Sequence, residues 1–188
     1  PYATPGFVAF GAGSLITGWL GDRWSRRHMM LIFFIGIGAS MISVGFVDTP
    51  LDNTTGVTGA IPFTGWALDD VEVTRVMVCR AAVGTEVAPV DPNCAGASQI
   101  FVGFAVFIDG ARPDVAAFYP TYPLHTRGGW GFMVLTNMLP EANLGLPAGG
   151  NGTFQFSMYA QDRDGHTTVL GTRTMTCANA SATKPFGA

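Results

Sequence analysis

A short arginine-rich link, Gly18 to His28, set between two apolar runs constrains this chain more than any other feature. Neither Tyr2 to Leu20 nor Met29 to Val47 contains a charged residue, and each run is 19 residues long. As a helix rising about 1.5 Å per residue, each would reach roughly 28 Å, close to the hydrocarbon thickness of a bilayer. The pattern predicts a transmembrane helical hairpin over residues 1–47. Short loops rich in arginine stay on the cytoplasmic side, so Arg23, Arg26 and Arg27 place the link inside. The second helix then runs outward and delivers residues 48–188 to the extracytoplasmic side of the membrane.

The same residues carry a resemblance. Gly18-x-Leu20-x-Asp22-Arg23-x-x-Arg26-Arg27 resembles the signature loop between the second and third helices of major facilitator superfamily transporters, with Ser25 standing where the family has glycine. The resemblance covers residues 1–47. It implies that Gly18 lets neighbouring helices approach and that Asp22 holds a charge network steadying one gating state. It also implies that the segment is a fragment of a transporter and is not transport-competent alone. Small residues four apart, Ala9 with Gly13 and Gly36 with Ser40, suit close packing against further transmembrane helices. A competing reading makes Arg23 to Val47 a signal peptide or anchor, with Gly38-Ala39-Ser40 as a cleavage region; it leaves the run Tyr2 to Leu20 unexplained. A buried soluble hairpin has no amphipathic helix elsewhere to cover it.

The net charge of −3 hides two different chains. Residues 1–47 hold three Arg against one Asp, whereas residues 48–188 hold six Arg and one Lys against twelve acids. An acidic second part argues against nucleic acid as a partner, because phosphate binding needs clustered Lys or Arg. The ends of the chain read as those of a fragment.

Asp48-Thr49-Pro50 through Gly56 collects turn formers, and the sequence period changes after it. Strands are predicted over Ala60–Leu68, Val71–Cys79, Ile100–Ile108, Gly131–Leu135, Phe154–Ala160 and Thr167–Cys177, with Trp66 as the core plug and a bulge near Gly171. Six or seven short strands between Gly and Pro turns point to a two-sheet sandwich. Gly65-Trp66-Ala67-Leu68-Asp69-Asp70, Arg112-Pro113-Asp114-Val115-Ala116-Ala117 and Gly129-Trp130-Gly131-Phe132 resemble bacterial immunoglobulin-like modules of large surface proteins. That resemblance covers residues 45–188 and implies display, spacing or adhesion beside adjacent modules, with no catalytic set.

Of the three cysteines, Cys79 and Cys94 are candidates for a disulfide that pins a Pro-containing loop to a strand, which leaves Cys177 as a thiol; a fully reduced chain is the alternative. Zinc lacks any Cys-x-x-Cys or His partner at ligand spacing. Asp162-Arg163-Asp164-Gly165 opens like a calcium loop, but no acid follows Asp164, and a hairpin turn accounts for it. Phe118 to Leu124 reads either as an aromatic ligand surface or as packing. Asn53, Asn151 and Asn179 head glycosylation sequons. There is no nucleophile elbow, phosphate loop or His pair, so no enzyme and no cofactor are expected.

The fold class expected is therefore a transmembrane α-helical hairpin, 1–47, followed by an all-β immunoglobulin-like sandwich, 48–188. The function expected is a piece of a membrane transporter carrying an extracytoplasmic domain; the alternative is a membrane-anchored unit of a surface adhesion or scaffold protein.

Overall fold

A computed structural model describes residues 44–95, 98–142 and 149–181. The chain divides into two units, Pro1–Ile42 and Ser43–Ala188, and every described residue belongs to the second. Gly18, Leu20, Asp22, Arg23, Arg26 and Arg27 lie outside the described residues.

The expected fold class is corrected on two counts. Among the described residues no helix is long and apolar enough to cross a membrane, and the α-helix α1, Pro113–Phe118, has six residues. Val44 to Val47, assigned above to the end of the second membrane helix, lies instead in strand β1, Val44–Thr49. The reason is visible in its burial. Val47 is fully buried while Phe46 beside it is 53 % exposed, a two-residue alternation that a strand produces and a helix does not. The labels of a membrane-helix and transporter-family protein conflict with a described unit that is mainly β-sheet.

The second count concerns the number of sheets, while the all-β sandwich itself is compatible with the structure. Strands β1 to β8 form one eight-stranded sheet in the order β1-β3-β6-β5-β4-β7-β8-β2, not two separate sheets. The strands after β1 are β2 Thr54–Val57, β3 Ala60–Leu68, β4 Val73–Ala81, β5 Gln99–Phe107, β6 Gly129–Leu135, β7 Asn151–Asp162 and β8 Thr167–Ala178. Neighbours are antiparallel except β2 with β8. The sheet curls because β5 serves both halves: Gln99 to Ala105 pairs with β4, and only Val106 and Phe107 pair with β6. A bulge at Val102, between the pairs Gly103 with Val78 and Phe101 with Cys79, interrupts the ladder four residues before the strand changes partner. At the far end Arg173 of β8 donates to the carbonyls of Val47 and Pro50, and its guanidinium lies 5.4 Å from the Phe46 ring centroid.

The two halves enclose a core of Val47, Phe63, Val76, Val78, Trp130, Phe154, Phe156, Met158 and Met175, all 2 % exposed or less. Trp130, not Trp66, is the tryptophan of this core; Trp66 is only half-buried. Trp130 fits because Gly65 faces it: a Cβ there would come within 2.6 Å of the indole. Leu170 is the unpaired residue of a bulge between the pairs Met158 with Gly171 and Tyr159 with Val169. A polar knot closes one end. Buried Asn179 accepts from the Gly59 N–H and the Thr136 hydroxyl and donates to the Gly150 carbonyl, at 3.1, 2.9 and 2.8 Å.

Candidate binding groove

Beyond Val106 and Phe107 the strands β5 and β6 part. Among the described residues Gln99 to Ala105 keeps register partners on β4 alone, and Phe132 to Leu135 on β3 alone. Between these lips lies a groove of about 360 Å³, lined by Ile100, Phe101 and Val102 on one side and by Phe132 to Leu135 with Met138, Leu139 and Pro140 on the other. The groove is apolar at its mouth as well as its floor: Met133, Leu135 and Met138 are 56 %, 47 % and 70 % exposed. Next to the lining residue Val102, Gly103 leaves room for the Phe132 ring: a Cβ there would stand 2.7 Å from it.

Among the described residues Arg80 supplies the one charge in the lining, and that charge is already paired. Both its terminal nitrogens donate to Glu86 at 2.6 Å, and one also donates to the Ala81 carbonyl at 3.2 Å. The Arg80 hydrogen bonds hold the Glu86 carboxyl below its ordinary value. The groove thus offers apolar surface with a neutralised ion pair at one end.

The lip formed by β5 is fixed from behind. Cys79 and Cys94 are joined by a disulfide with 6.0 Å between Cα atoms, and Cys94, Met77, Tyr159 and Phe101 pack on the outer face of the sheet. Tyr159 donates to Gln99 at 2.8 Å, and Gln99 donates to Ser157 at 3.2 Å. Cys177 is free and buried, and burial pushes its thiol up to about 11, so it stays protonated and packs as an apolar side chain.

The other residues singled out by sequence fall elsewhere. Tyr119 gathers Trp66, Phe118 and Tyr122 at ring separations of 5.7, 4.9 and 5.6 Å beside α1. Arg112 anchors that segment, pairing with Asp48 of β1 and with Asp114, whose carboxyl it holds down to about 2. Asp162 accepts from the His166 backbone at 2.8 Å and faces its imidazole at 3.0 Å, within the β7–β8 turn where Gly165 has a φ of 89°. Among the described residues no group of three His, Cys, Asp or Glu could hold a metal. Of the sequon asparagines, Asn53 is exposed, Asn151 donates to Glu141, and Asn179 is buried in the knot.

Sequence reasoning missed the groove, although a signal was present. Met133 and Leu135 are apolar at the outward positions of an alternating strand, and Gly103 interrupts an otherwise bulky run. No protein-family model matches the chain, and no curated protein matches it.

Proposed function

We propose that residues 44–181 act as a non-catalytic binding module of an exported surface protein, an adhesion or scaffold element whose working surface is the groove between β5 and β6. The observation that carries this reading is the contiguous apolar mouth of Met133, Leu135 and Met138 over a preformed cleft, since exposed apolar clefts with fixed walls mark binding sites. The Cys79–Cys94 bridge supports export, because such bridges persist in oxidising compartments. The acidic balance of residues 48–188 directs the module away from nucleic acid.

The test is adhesion. Beads coated with the full chain should adhere to surfaces of collagen, fibronectin or mucin, and the doubly substituted Leu135→Asp, Met138→Asp chain should lose at least tenfold of that adhesion at unchanged melting temperature. Both side chains are exposed, so their replacement leaves the core intact. Equal adhesion by both chains, or none by either, ends the reading.

A further inference from the structure

We infer that the groove takes an uncharged extended peptide, which adds as a strand between the parted edges of β5 and β6; the inference rests on the reading of the groove as the binding surface. Two facing backbone edges specify the occupant. Gln99 to Ala105 and Phe132 to Leu135 are in strand conformation, yet among the described residues each has register partners on one side only. An edge strand leaves alternate N–H and C=O groups unpaired on its open side, and an added strand satisfies them. The shorter lip is four residues, about 13 Å at roughly 3.3 Å per residue, which sets the length of the segment that pairs with both edges.

Charge narrows the chemistry further. The Arg80 charge is already paired with Glu86, with a further hydrogen bond to the Ala81 carbonyl, so a charged side chain entering the groove would be desolvated without a counter-ion of its own. Side chains of a strand alternate between faces, so every second residue of the peptide meets the apolar floor at Val102 and Phe132 while the intervening ones face the mouth. A second copy of this chain is disfavoured as occupant on area. A stable dimer buries about 1,200–2,000 Å², and a slot with a four-residue lip admits one strand rather than a folded surface.

Binding to the full chain is to be measured on an array of N-acetylated heptapeptides that alternate Val, Ile or Phe with Thr or Ser. The best binder should shift backbone amide signals of Gln99 to Ala105 and Phe132 to Leu135, and N-methylation at alternate residues of one edge should weaken it at least tenfold. Replacing one inward apolar residue by Asp should weaken it similarly. Equal affinity of the N-methylated peptide overturns strand addition while leaving an adhesive groove intact. Failure of the whole array to bind, or a concentration-dependent dimer that the peptide displaces, also overturns it.

Discussion

Trp130 shows how a single residue sets the core and at what cost. Its ring is 2 % exposed, and its indole N–H has no hydrogen-bond partner among the described residues. An unpaired buried donor costs about 1–3 kcal/mol, so burial of the ring must outweigh that penalty. Trp130→Ala should cost about 3–5 kcal/mol as a large buried aromatic. Trp130→Phe should cost less than half as much, because it removes the orphaned donor together with part of the ring. Trp66, half-buried against Tyr119, should lose only about 1 kcal/mol on change to Ala, the scale of an aromatic pair. Urea unfolding of the three variants checks the order. A Trp66→Ala loss matching that of Trp130→Ala would return Trp66 to the core. The sequence makes Trp66 look central because it sits in a clean strand pattern. Trp130 was less legible because its place depends on Gly65, 65 residues earlier in the chain.

Among the elements, the β4–β5 connection shows what local pattern can and cannot reveal. Periodicity places β3 and the Phe154 to Ala160 stretch of β7, because alternation is a local property. It does not reveal that β5 changes partner at Val106, which depends on long-range pairing with β4 and β6. The groove follows from that change, so it too was hidden. The connection itself is held by Arg80 with Glu86 and by the disulfide. Glu86 is lowered from 4.5 in the folded chain, so its contribution to stability is present above that unfolded value. It is lost as the pH falls through the lower folded value. Glu86→Gln should therefore cost about 2–4 kcal/mol at pH 7, by leaving the 8 % exposed Arg80 without its anion, and less at pH 3, which lies below the unfolded value. Denaturant midpoints of both chains at the two pH values measure this, and a gap that does not shrink in acid rules the ion pair out as its source. Reduction of Cys79 and Cys94 should cost about 3 kcal/mol, the entropy of a loop of this length, and should loosen the Gln99 lip first. Hydrogen exchange at Gln99 to Val102 before and after reduction tests the second part.

For the whole molecule, the decisive question is where the independently folding unit begins. The uncharged run Met29 to Val47 looks continuous in sequence, and apolar character alone does not separate a helix from a buried strand. The structure does separate them at its end, since β1 starts at Val44 and lays Val47 into the core. Without β1 the edge of β3 would open over Thr64 to Leu68. The carbonyls of Val47 and Pro50 that receive Arg173 would also lose their fixed position, and the wall that Val47 forms against Gly171 would be missing. A chain starting at Ser43 should therefore unfold cooperatively, while one starting at Asp48, the boundary suggested by composition, should be less stable by about 3 kcal/mol or more. That figure is the sum of a buried valine's transfer energy, about 1.5–3 kcal/mol, and the strand pairing lost with it. Urea unfolding of residues 43–188 and 48–188 decides the matter. Equal midpoints would mean that β1 is an appendage and that the sheet closes on β3 and β8 alone.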